Sequence, residues 1–411
     1  MSSSSRKLGG AGRQLTAAGV VAMISAAPAG AAEFYYQPIV SLATAYNTNL
    51  DLTPVAAEKR GAEGYYADAA TTIGIATPQS ETNLQPRLLY NYYPSATDRN
   101  RLEAFLTGIS RYSWQRDRLN ISGYYDHRDD VNAEQPGATV GAGNTTPTTG
   151  NPLVGITRDY LILDPTYTHL LTPLTGIGFA GEYQRLSYSQ EDANHIAYNF
   201  YQGRLFYSKT IDLRTGFAVG VYGNRYEGQT IESHSTSGGL QASGDYNWTQ
   251  TLHSSLTVQF QETKFRQATD TGVDLSQTSH PWAANLSTKY DAQTSRYTFS
   301  LGRTIYPSSA GGLYTTDQVQ AQYDRDFTQR LQFTGALRVF RDRNTDAAAS
   351  SANYRNYGAA SLRVQYMLTQ RIFVATSYTY LYQKFRYDTN SADANVVYVS
   401  IGYRGLDRQQ R

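Results

Sequence analysis

The residues with the most obvious chemical potential in this chain are His127, Arg128, Asp129 and Asp130, four in a row. An imidazole beside two carboxylates can serve as a general base or hold a metal ion. No nucleophile stands nearby in a recognisable context, so the plainer reading is a solvated rim where a strand enters a long loop. Asp324 and Asp326 flank Arg325 beside Phe327. Such a pair can take calcium, but a locally paired charge cluster at a strand end is the simpler account. No G-x-x-x-x-G-K-[ST], H-E-x-x-H or EF-hand spacing occurs, which leaves phosphate-cradling and common metal mechanisms without support. The chain therefore reads as non-enzymatic, with no catalytic, cofactor-binding or metal-ligating residue assigned. What remains is a set of polar side chains within strand-like segments: Gln259, Gln320, Gln332, Arg338, Arg363 and Arg404. These can line a pore and set its charge preference, and the Arg residues can equally pair with lumen carboxylates and help fill it.

Their placement depends on a period-two pattern, which sends alternate side chains to opposite faces of a strand. From Leu252, the residues Leu252, Ser254, Leu256, Val258 and Phe260 share one face, while His253, Ser255, Thr257, Gln259 and Gln261 share the other. Val319, Ala321 and Tyr323 interleave in the same way with Gln318, Gln320 and Gln322. So do Leu331, Phe333, Leu337 and Val339 with Gln332, Thr334 and Arg338, and Leu362, Val364 and Tyr366 with Ser361, Arg363 and Gln365. Val397, Val399, Ile401 and Tyr403 alternate with Tyr398, Ser400, Gly402 and Arg404. A row of Gln and Arg is costly in a dry core. A hydrated lumen removes that cost.

Composition points to the same architecture. The 411 residues include 35 Tyr and 34 Gly but only 3 Met, with 40 % hydrophobic residues and a mean hydropathy of −0.50. That is too polar for a helical membrane protein, whereas a barrel wall needs apolar residues only at alternate positions. The absence of cysteine excludes disulfides and thiolate metal sites. Residues 1–32 read as an export signal: Arg6, Lys7 and Arg13 precede an apolar run from Leu15 to Ala27, and small residues then permit cleavage after Ala31 or Ala32. Removing those three charges takes the formal net charge from +2 to −1, so no nucleic-acid footprint is present.

Connections alternate between short and long. Short turns are expected at Gln115 to Arg118, Thr172-Pro173, Lys209 to Arg214, Thr249-Gln250, Asp291 to Ser295, Thr328-Gln329 and Thr369-Gln370. Longer polar segments are expected near 50–67, 94–100, 130–157, 190–196, 226–236, 266–280, 306–314, 341–353 and 387–394. With a first strand at Phe34 to Thr48 and a last at Asn395 to Arg404, residues 33–411 form an all-β, transmembrane antiparallel barrel of about 16 to 18 strands, with short periplasmic turns and longer extracellular loops. A weak repeat sets Tyr a few residues before a Thr-centred turn, as in Tyr246 to Leu252, Tyr323 to Leu331 and Tyr366 to Ile372. It reads as an aromatic anchor at the periplasmic interface. The segment 130–157, rich in Gly, Pro, Thr and Asn, is too long for an ordinary hairpin, and either folds over or into the pore as a constriction or forms a disordered surface loop.

The Tyr-x-x-Thr hairpins, the strand Leu84-Gln85-Pro86-Arg87-Leu88, and Arg118 to Tyr125 running into His127-Arg128-Asp129 resemble the exopolysaccharide-associated outer-membrane β-barrel proteins of Gram-negative bacteria. The resemblance implies an outer-membrane pore or conduit linked to extracellular polysaccharide export or surface assembly, and it carries no catalytic residues or cofactors. A barrel of this size also suits a general diffusion porin for small solutes, or a structural or receptor barrel with a closed lumen. The partners implied are outer-membrane lipid and lipopolysaccharide, the barrel-assembly machinery, and polysaccharide or small solutes as cargo.

Overall fold

The computed structural model describes residues 32–136, 154–192, 195–229, 233–267, 275–309, 311–344, 355–386 and 389–405. The expected export signal, residues 1–32, therefore lies outside the described residues except for Ala32. Among the described residues nineteen strands follow one another around a single antiparallel sheet that closes on itself, because β1 (Glu33–Asn47) pairs with both β2 (Ala62–Ala76) and β19 (Ala392–Arg404). β12 (Leu275–Ser279) and β13 (Trp282–Asp291) both pair with β11 (Leu252–Gln267), one after the other. They form one stave interrupted at His280-Pro281, where proline removes a ladder donor. The barrel thus has 18 staves, an even number that returns both ends of the sheet to the same rim.

The period-two reading holds in space. On β11 the outward Phe260 is 62 % exposed, while its inward neighbour Gln261 is 5 % exposed. Large apolar side chains such as Leu240, Val221, Leu205 and Leu301 stand out from the wall all round, a surface stable only against something equally apolar. Aromatic rings mark its lower edge: Tyr290, Tyr297 and Tyr323 are register partners on adjacent strands, with ring centroids 5.9 and 4.5 Å apart. Among the described residues no helix is long and apolar enough to cross a membrane.

All seven expected short turns lie at one rim, together with an eighth at 77–79 that alternation did not reveal. The long connections lie at the other rim, but several are shorter than expected. β2 begins at Ala62 within the expected 50–67 loop, β9 (Thr215–Gly228) and β10 (Ser233–Asn247) extend into 226–236, β12 occupies part of 266–280, and β14 (Ser295–Ser308) and β15 (Gly312–Asp326) leave only 309–311 between them. The cause is visible on β11, whose outward positions become Glu262, Lys264 and Arg266 beyond Phe260. There the strand has left the apolar belt, so pairing continues although the hydropathy pattern has ended.

Candidate functional site

The loop-bearing end of this wall gathers the chemistry. β5 (Asp117–Asp129) sends alternate residues through the wall, so His127 faces outward, where its Nδ1 lies 2.9 Å from the exposed Asp159. Arg128, Asp129 and Asp130 are instead fully buried. The four residues therefore form neither a base nor a solvated rim; the strand divides them between the outside and the lumen.

Past β5 the chain turns inward. The Asp129 carboxylate accepts the Val131 N–H at 3.0 Å, capping a one-turn helix, Asp130–Glu134, and receives Arg99 Nη1 at 2.9 Å. Val131, Ala133 and Glu134 are all buried. The segment then meets β17 (Arg355–Met367): Arg355 donates to the Glu134 backbone oxygen at 2.6 Å and approaches its carboxylate at 3.4 Å, and the Tyr357 hydroxyl donates to the Pro136 oxygen at 2.9 Å. From the near wall, Arg158 of β6 (Thr157–Thr172) reaches the same carboxylate at 3.7 Å and Asp126 at 3.4 Å. Glu134 thus ties β6 to β17 through the lumen. A buried carboxylate is tolerable only when it is paired in this way.

Two more segments complete the layer. Between β7 (Thr175–Tyr188) and β8 (Tyr198–Thr210), His195 places Nδ1 2.8 Å from Asp192 and Nε2 3.3 Å from Asp130. Across the lumen, the tight β14 to β15 connection folds toward it, helped by the positive φ of Gly311 at +86°. The Ser309 oxygen accepts the Ile196 N–H at 2.8 Å, its hydroxyl meets Tyr188 at 3.0 Å, and the Ser308 oxygen accepts Tyr226 at 3.0 Å. Tyr188, Tyr198, Tyr226 and Leu313 pack here, and a second apolar cluster around Tyr93, Phe105, Tyr357 and Leu381 fills the opposite side. Burial lowers the proton affinity of His195, but the hydrogen bonds and charges of Asp130 and Asp192 overcome this and raise its pKa to about 9.

The six polar residues singled out from the sequence all stand on the inner face, spread over several places. Gln259 lines a polar cavity of 330 Å³ with Glu182, Gln184, Gln202 and Asn285. Gln320 and Arg338 are register partners. Gln332 and Arg363 are linked through Gln365, at 3.3 and 3.0 Å. Arg404 lies near the short-turn rim, with Met367 Sδ 4.0 Å away. Asp324 accepts from Thr334 and Gln322 at 2.8 and 2.7 Å. Among the described residues no group of three or more potential ligands is placed to hold a metal.

The residues that tie this layer together, Glu134, Arg158, His195 and Arg355, were not found from the sequence. Each sits at a loop end where alternation has lapsed, and their mutual contacts span distant parts of the chain. Of the two courses open to 130–157, the inward one is seen in 130–136; residues 137–153 lie outside the described residues.

No protein-family model matches the chain, and no curated protein matches it. Among solved structures it is similar to the Acinetobacter baumannii protein OccAB3, at 11 % identity over 90 % of this chain and 99 % of that one, with a TM-score of 0.42. It is also similar to Pseudomonas aeruginosa OccK2 (OpdF) in complex with glucuronate, at 13 % identity over 91 % and 99 %, with a TM-score of 0.43, and to the Escherichia coli ferric-catecholate import receptor Fiu, at 8 % identity over 89 % and 81 %, with a TM-score of 0.44.

Proposed function

We propose that this protein is a non-enzymatic outer-membrane channel for small polar solutes, narrowed in the outer half of its lumen. The membrane placement is supported by the continuous apolar outer wall around a polar interior, which only a bilayer suits. An 18-stave barrel is wide enough for water when empty. The observation that favours small solutes over a polymer is the strap 130–136, which crosses the lumen and is anchored to β17 by Arg355 and Tyr357. A polysaccharide chain needs continuous width, and a segment anchored across the lumen argues against it. The small-solute porin is therefore preferred to the polysaccharide conduit suggested by the family resemblance.

The test is single-channel conductance in a planar bilayer for the wild type and Arg355→Ala, each checked for folding by its heat-dependent gel migration. A small, steady wild-type conductance that rises several-fold in Arg355→Ala is the expected result. A large wild-type conductance that long oligosaccharides block would restore the polymer conduit. Silence from both folded proteins would leave a closed structural or receptor barrel.

A further inference from the structure

The outer wall changes character within one step along five neighbouring strands, β14 to β18 (Ile372–Phe385), including β16 (Leu331–Asn344). Leu301, Val319, Val339, Gly358 and Tyr382 are register partners that run across the belt. Two residues closer to the loop-bearing rim, the next outward row is Arg303, Asp317, Arg341, Asn356 and Lys384. Arg343 takes the following outward position on β16.

This row carries more positive charge than it neutralises. Arg303 grips Asp317 through Nε at 2.6 Å and Nη2 at 3.1 Å, and Arg343 reaches the same carboxylate at 3.0 Å. Arg341 donates to the Asn356 side-chain oxygen at 2.8 Å. Among the described residues neither Arg341 nor Lys384 forms an ion pair with a carboxylate. Four cations against one carboxylate leave three positive charges facing away from the lumen. They cannot serve solute passage there, and they stand immediately above lipid-facing residues.

Directly below them the wall is concave. A groove of 560 Å³ is floored by Leu256, Leu286, Leu301, Val319 and Val339, with Trp282 at its edge beneath the Arg303 guanidinium, 4.4 Å from the ring. The complementary molecule has an acyl chain for the groove and a broad, multiply anionic head for the row. Arg341 and Lys384 stand two strands apart, about 10 Å, which suits a head carrying more than one phosphate better than a single phosphodiester.

We propose that this face binds the phosphorylated lipid A head of lipopolysaccharide, with phosphate among Arg341, Arg343 and Lys384 and an acyl chain in the groove. Charge-assisted bonds from guanidinium to phosphate supply the affinity. The inference rests on the membrane placement proposed above, because the row meets the outer leaflet only if the long loops face outward.

The test uses the full barrel in detergent, titrated with diphosphorylated lipid A and followed by native mass spectrometry. The wild type is compared with the triple variant Arg341→Gln, Arg343→Gln, Lys384→Gln and with Arg341→Lys, Arg343→Lys. At least five-fold weaker binding by the neutral variant, with binding kept by the lysine variant, is the expected result. Equal binding by all three overturns the proposal, as does a wild type that takes phosphatidylglycerol or dephosphorylated lipid A equally well. Because binding is read in detergent, a negative result is independent of conduction and of how the barrel sits in the envelope.

Discussion

His195 shows how a single side chain couples two inward segments. In the unfolded chain its imidazole titrates near 6.5, whereas between Asp130 and Asp192 it holds its proton up to about 9. A raised folded-state pKa means the stabilisation is fully present below about 6.5 and is lost as pH rises through about 9. The thermal midpoint of the wild type should therefore fall more between pH 7 and pH 10 than that of His195→Gln, which keeps a donor but cannot titrate. Parallel pH profiles for the two proteins would show that the imidazolium contributes nothing. At this scale the sequence was least informative. His127 stood out because it neighbours two aspartates in the chain, yet its own partner is Asp159 on the outside of the wall. The imidazole that does meet Asp130 comes from another loop, and the pairing of β5, β6 and β7 brings the two together.

Elements were far more legible, and the weak repeat of a Tyr a few residues before a Thr-centred turn has a physical basis in the turns themselves. Thr249 Oγ1 accepts the N–H groups of Thr251 and Leu252 at 3.2 and 3.0 Å. Thr328 does the same for Arg330 and Leu331 at 3.1 and 3.0 Å, and Thr369 for Arg371 and Ile372 at 3.2 and 3.0 Å. In each case one hydroxyl satisfies two donors that the hairpin leaves without a ladder partner. The exposed Trp248, Phe327 and Leu368 that precede the threonines are placed to meet the interface. The threonine, rather than the tyrosine, is the shared structural device. Thr328→Val keeps the shape and removes the acceptor, at a cost of about 0.5–1.5 kcal/mol, near the lower end because water reaches the turn. Combining it with Thr249→Val and Thr369→Val should lower the urea midpoint of the barrel additively, with Thr→Ser restoring it. An unchanged midpoint in the triple valine variant would show that solvent replaces the hydroxyls in full. Strand ends beyond the belt were misjudged for the opposite reason: pairing there continues through backbone bonds and inward polar contacts such as Ser237 with Thr263, and outward residues such as Glu262 and Lys264 give no hydropathic signal.

For the molecule as a whole, strand parity could be read from the sequence because alternation and turn spacing are local, repeated signals. The buried layer at the loop-bearing end could not, because it depends on contacts such as Glu134 with Arg355 that reach across the lumen. Orientation follows from the same parity: β1 begins and β19 ends at the short-turn rim, so the two rims must face opposite sides of the membrane. The chain contains no cysteine, so a single introduced thiol reports its side without background. Glu58→Cys, exposed in the connection between β1 and β2, should react with a membrane-impermeant maleimide on intact cells. Gln250→Cys, exposed in the turn between β10 and β11, should react only after the outer membrane is opened. Both substitutions sit at exposed positions outside the paired strands, so each variant should fold as the wild type does. The reverse pattern would invert the barrel and move the Arg341 row to the inner leaflet, where lipid A is not its neighbour. Equal labelling of both sites on intact cells would remove the membrane placement itself, and with it the reason for the apolar outer wall.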